Sequence, residues 1–88
     1  MILVDQPIWP GPRGRYAHLV SDHSFDELHD FAAGLGLPER AFHRDHYDLP
    51  ESWWVRATVA GAEPVDPRVL VRRLRDAGLR RRRSGALG

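Results

Sequence analysis

Ile2-Leu3-Val4 is an unbroken apolar triplet closed by Asp5, which predicts a short strand buried on both faces. Gln6 to Gly14 holds three prolines and two glycines around Trp9, and predicts a loop that folds the indole back over the core or a pocket mouth. Arg15 to Ser21 alternates as a second strand, with Tyr16, His18 and Val20 on one face and Ala17 and Leu19 on the other. Leu28, Phe31, Ala32 and Leu35 then recur at helical spacing. They predict a helix from about Phe25 to Leu35, opened by a Ser24-x-x-Glu27 capping box and ended by Gly34, Gly36 and Pro38. His29 flanks its apolar stripe.

Pro38 to Phe42 reads as one more short helical turn. If His46 to Asp48 is extended, those two side chains point to one side and Tyr47 to the other. Asp48-x-x-Glu51 with Pro50 has the spacing of a helix cap, and predicts a helix from about Glu51 to Ala60, stopped by Gly61. Glu63-Pro64-Val65 is a minimal strand whose proline confines it to an edge. Asp66-Pro67 opens a last helix with Val69, Leu70 and Leu74 inward and Gly78 as terminator. The expected architecture is α/β: a small sheet of two or three short strands covered by about three helices, in one compact domain.

Size and charge sharpen this picture. At 88 residues the chain is one small domain, which buries only roughly 60–65% of its unfolded surface. It has no cysteine, so a metal held by His and carboxylate, or a homodimer, is the staple left to it. No apolar run approaches the roughly 20 residues that cross a bilayer. The opening Met-Ile-Leu-Val runs straight into Asp5, unlike a signal peptide, so the expected location is cytoplasmic. The net charge of +1 hides an asymmetry. Residues 1–79 carry nine arginines against twelve acids, whereas Arg80, Arg81, Arg82 and Arg83 form one basic run. This divides the chain into a domain at 1–79 and an Arg-rich tail at 80–88. Such a run could touch nucleic acid through phosphates, but like-charge blocks are more often solvated tails.

Chemistry concentrates in His, Asp and Arg. Imidazole with carboxylate is the ligand set of zinc, manganese and iron, so His18, Asp22, His46 and Asp48 are candidate ligands of a divalent metal. The same residues can act as general acid–base pairs, each Asp orienting a His. The competing reading is structural: His18 and His46 satisfy buried backbone groups while Asp22 and Asp48 cap helices. Asp5, Arg15, His29, Tyr47 and Trp9 are candidate ligand-binding residues. Arg13 and Arg15 flank Gly14 and could fork onto phosphate or carboxylate, although two exposed arginines explain them as well. Trp9, Tyr16, Trp53 and Trp54 could stack on a base or sugar, but in so short a chain they more often fill the core. Walker, G-x-G-x-x-G, H-E-x-x-H and G-x-S-x-G motifs are all absent from the sequence.

The succession Val4-Asp5, Trp9, Gly14-Arg15, His18-Leu19-x-x-Asp22, Glu27-Leu28-His29-x-Phe31-Ala32, Leu35-Gly36, His46-Tyr47-Asp48, Ala60-Gly61-Ala62 and Val65 resembles the domain of unknown function 4031 family of small bacterial and phage proteins. The resemblance covers about residues 2–75 and implies that Asp5, Arg15, His18, Asp22, His29, His46 and Asp48 are its recurring polar positions. It implies no activity. The segment before His-Tyr-Asp is shorter here than in many members, and the arginine run lies outside the resemblance. Two functions stand side by side. One is a metal-dependent, hydrolase-like site for a small anionic ligand of phosphoester type. The other is a non-enzymatic protein- or nucleic-acid-interaction module whose His/Asp cluster is a hydrogen-bond network.

Overall fold

A computed structural model describes residues 1–81. Strands are β1 (Ile2–Val4), β2 (Trp9–Gly11), β3 (Gly14–Ser21), β4 (Phe42–His43), β5 (His46–Pro50) and β6 (Glu63–Pro64). Helices are α1 (Phe25–Leu35), α2 (Trp54–Val59) and α3 (Pro67–Asp76), with 3-10 turns at Glu39–Ala41 and Glu51–Trp53.

The long strand β3 organises one sheet of order β4-β5-β3-β1-β6. One edge of β3 carries β5, antiparallel, with Tyr16 opposite Pro50 and His18 opposite Asp48. Its other edge is shared. β1 pairs with Leu19–Ser21 and β2 with Gly14–Tyr16, both antiparallel. Between them the chain departs from the ladder, and the Asp5 carboxylate takes up the His18 backbone N–H at 2.6 Å. β6 adds to β1 in parallel.

The sheet has six strands rather than the two or three expected. The Gln6–Gly14 stretch is not all loop, because Trp9–Gly11 folds back along β3 as a hairpin arm. Pro10 is tolerated there because an outer strand can leave its nitrogen unbonded. The two-residue strands β4 and β6 likewise exist only by pairing with β5 and β1.

Alternation along the strands divides the core in two. Val4, Ala17, Leu19, Tyr47 and Leu49 pack against Leu28 and Ala32 of α1 and Ala57 of α2. On the opposite face, Leu3 and Val20 pack under Leu70 and Leu74 of α3. Each such leucine is worth about 2–5 kcal/mol against truncation to alanine. One helix cannot cover a whole sheet face. α3 seals the half beside β1, and the half formed by His18, Asp48 and His46 stays only partly buried.

The ends of the helices follow local chemistry, with two departures. Ser24 caps α1 by accepting the Glu27 N–H, and Gly36 ends it in the left-handed conformation at φ 91°. The reciprocal half of the expected capping box is missing, since Glu27 instead accepts from the Ser21 hydroxyl and the chain's amino group. Asp66 caps α3 as expected. Asp48 caps nothing: the segment from Glu51 opens without a side-chain cap, because Asp48 lies inside β5 with its carboxylate turned to the histidine face.

Candidate functional site

His18 on β3 and Asp48 on β5 are directly opposed, and His46 lies two residues from Asp48 on the same side of β5. A period of two with this register makes three polar side chains neighbours on one face. One ligand atom from each of His18, His46 and Asp48 lies within 4.8 Å of the others. The rings of His18 and His46 meet edge-on with centroids 4.9 Å apart. His43, paired with His46 across the β4–β5 hairpin, brings Nε2 to 3.3 Å from the other oxygen of Asp48.

Each of the two central imidazoles is held from behind by a buried carboxylate. Asp5, 1% exposed, faces Nδ1 of His18 at 2.8 Å and also accepts the Trp9 indole N–H at 3.0 Å. Its backbone carbonyl accepts the Trp54 indole N–H at 2.8 Å. Asp45, fully buried, faces Nδ1 of His46 at 2.8 Å. It also accepts the Arg81 backbone N–H at 2.8 Å and the Arg80 guanidinium at 3.3 Å. Burial alone would raise the Asp45 carboxyl, but these donors outweigh it and hold the group below the usual carboxylate range.

An ionised Asp45 can only accept, so Nδ1 of His46 is the donor and a neutral ring presents its Nε2 lone pair to the site. That Nε2 lies 3.3 Å from Oδ1 of Asp48. A lone pair facing a carboxylate is unfavourable unless a cation stands between them, either a proton on the ring or a metal ion. A carboxylate on Nδ1, as His18 has in Asp5 and His46 in Asp45, is the arrangement by which proteins fix metal-ligating histidines. Two such histidines and one carboxylate are a donor set for zinc or for non-haem iron. Bond lengths of about 2.0–2.2 Å would need a small inward rotation of the three side chains.

Two clefts meet at this cluster, besides an open hollow of about 560 Å³ over Phe42, His43, Arg44, His46 and Asp48. One of about 560 Å³ is walled by Trp9, Tyr16, His18, Asp48, Arg40 and Trp53, among others. The second, of about 290 Å³, lies between α3 and the β4–β5 turn and includes His18, His46, Asp45, Arg44 and Arg80. Trp9, with its ring 5.1 Å from that of His18, borders both.

The other sequence candidates lie elsewhere. Asp22 ends up beyond β3, where it holds Arg73 of α3 at 2.5 Å and the chain's amino group at 3.0 Å, and does not join the cluster. His29 points to the opposite face of the sheet, with Nδ1 2.6 Å from the Tyr47 hydroxyl and its ring 4.7 Å from that of Phe42. Tyr47 is buried there, and its burial raises the phenol above its ordinary value. Tyr47 fails to reach His18 because it is out of phase with 46 and 48, and His29 because α1 packs on the face that Tyr47 shares. Arg15 is exposed at the start of β3 opposite Pro10.

Sequence reasoning passed over Asp45, His43, Arg44 and Arg80. The signal for Asp45 is its place beside a candidate ligand in a two-residue turn between paired His43 and His46, where turn chemistry explains an Asp without any ligand. Of the proposed tail, Arg80 and Arg81 engage Asp45, and the Arg81 guanidinium sits 4.5 Å over the Phe25 ring. Arg82, Arg83 and the rest of the tail lie outside the described residues. Among the described residues no helix is long and apolar enough to cross a membrane.

No curated protein and no solved structure matches the sequence. A family model does match, over residues 2–77. That span contains the whole His18–His46–Asp48 cluster and both carboxylates behind it, and the chain accordingly belongs to the family described as "Protein of unknown function (DUF4031)".

Proposed function

We propose that the chain binds a divalent metal ion through His18, His46 and Asp48 and acts on a small anionic substrate of phosphoester type by hydrolysis. The observation that carries this reading is the convergence of those three donors within 4.8 Å, with each imidazole oriented by a buried aspartate through Nδ1. When bound, a divalent ion supplies a water ionised near neutral pH and a positive charge for a phosphoryl oxygen.

The chain's own residues supply the rest. Asp5 and Asp45 hold the two rings in one tautomer and one rotamer. His43, 57% exposed and in contact with Asp48, is placed to pass a proton between the cluster and solvent. Arg40 borders one cleft and Arg44 and Arg80 the other, so guanidinium groups flank the cluster on both sides. Such groups favour dianionic or diester oxygens over neutral substrates.

The test is metal content and metal titration of the untagged full chain with Zn2+, Mn2+ and Co2+. Binding is expected at one equivalent and lost in His18→Ala, His46→Ala and Asp48→Ala variants that keep the native circular dichroism. Hydrolysis of bis(p-nitrophenyl) phosphate should follow the same pattern. A folded chain that takes up none of the three ions sinks the metal reading and leaves the cluster as a hydrogen-bond network. Metal binding without turnover sinks only the hydrolytic part.

A further inference from the structure

We infer that the substrate of this site is a nucleotide-class phosphoester, whose planar base lies in the cleft beside Trp9 while its phosphate meets the His18–His46–Asp48 cluster. The inference rests on the metal reading for the phosphate end and on separate observations for the ring end.

The cleft beside Trp9 combines polar and aromatic walls. It is lined by the polar His18, His43 and Asp48 and by the rings of Trp9, Tyr16 and Trp53, with the Trp9 ring 5.1 Å from that of His18. Its volume of about 560 Å³ suits a single small organic molecule. A site for inorganic phosphate has no use for three aromatic walls, and a base, with its flat π face, gains more stacking energy from them than a sugar ring does.

The aromatic walls are fixed rather than incidental. Trp9 remains 38% exposed although it is one of the largest apolar side chains present. Its indole N–H is tied at 3.0 Å to Oδ2 of Asp5, the atom that also faces Nδ1 of His18. One buried carboxylate therefore sets both the stacking surface and a cluster imidazole, so ring and phosphate are placed in a common frame. Tyr16 is held in the same way by shape. A Cβ on Gly11 would come within 2.1 Å of its ring, which shows the phenol lying directly over the glycine on the neighbouring strand.

The test compares adenosine 5′-monophosphate, ribose 5-phosphate and inorganic phosphate on the full chain by calorimetry, with and without Mn2+. The base should tighten binding about tenfold over ribose 5-phosphate, both with the metal and without it. Trp9→Ala should bring the affinity for the nucleotide down to that for ribose 5-phosphate measured in the same variant. Trp9→Phe should recover most of the difference. Equal affinity for nucleotide and ribose 5-phosphate in the wild-type chain overturns the inference, whatever Mn2+ does. A nucleotide preference that persists while Mn2+ fails to bind overturns the metal reading and leaves the base cleft standing.

Discussion

At the scale of the residue, the two aspartates behind the histidines matter more than their silence in the sequence suggests. Asp5 is buried and accepts from the His18 backbone, the His18 ring and the Trp9 indole. Truncating a buried acceptor leaves its donors unpaired, at a cost of about 1–3 kcal/mol. Asp5→Ala should therefore lower the urea-derived unfolding free energy by about 2 kcal/mol, more than His18→Ala, whose ring is partly exposed. A smaller loss than for His18→Ala would show that the three bonds do not act through Asp5. His46 and Asp48 were legible as a pair because alternation within one strand puts them on one side, whereas the pairing that sets His18 opposite Asp48 belongs to neither segment alone. Asp22 was drawn into the same set by sequence nearness to His18. Its real partner, Arg73, is 51 residues away, and no local pattern announces such a pair. Tyr47 shows the converse: it lies between two cluster residues in sequence, but a one-residue phase difference places it across the sheet, where His29 of α1 meets it.

At the scale of the element, what the sequence showed was the set of segments with internal periodicity. The β3 strand and α1 carry their own patterns of two and of 3.6 residues, and both appear within a residue of expectation. β2, β4 and β6 have two or three residues each, and two of them contain proline. Segments so short owe their form to a neighbouring ladder, not to their own sequence, which is why β2 and β4 went unseen and β6 was legible only as a minimal edge strand. The end of the chain behaves similarly. A run of arginines has the composition of a solvated tail, yet its first two members reach Asp45, which orients His46. Replacing Arg81 by proline deletes the backbone N–H that Asp45 accepts, whereas Arg81→Ala keeps it. Loss of a partner behind a metal-ligating histidine costs about 10–100-fold in metal affinity. Arg81→Pro should weaken Co2+ binding by about tenfold, and Arg81→Ala should stay near wild type. Equal affinities in the two variants would mean that the C-terminal segment has no hold on His46.

At the scale of the whole molecule, a small sheet with a core on each face is fastened by few long-range polar contacts. One joins Asp22, at the end of β3, to Arg73 of α3. Burial disfavours the charged Asp22, but the chain's amino group and Arg73 outweigh it and hold the carboxyl below its ordinary 3.8. A depressed carboxyl stabilises the fold above its unfolded value, and that contribution is lost as the pH falls through the folded value. Urea midpoints should therefore fall once the pH drops below about 4, and less steeply in Arg73→Ala. The cluster offers a larger effect. A chain this short has little stability in reserve, and the half of the sheet face that α3 leaves open is where the three donors stand. An ion bound only by the native state adds about 2.7 kcal/mol when present at a hundred times its dissociation constant. For a domain of this length, each kcal/mol moves the melting temperature by about 4–8 °C. Saturating Zn2+ or Mn2+ should thus raise Tm by about 10–20 °C, and excess chelator should reverse the rise. His46→Ala should melt at one temperature with or without the ion. Because His46 joins β5 to Asp45, and Asp45 to the Arg80–Arg81 segment, the gain should also appear as slower amide exchange in Arg80 and Arg81. Stabilisation confined to β5 would show that the ion binds without drawing the end of the chain onto the sheet.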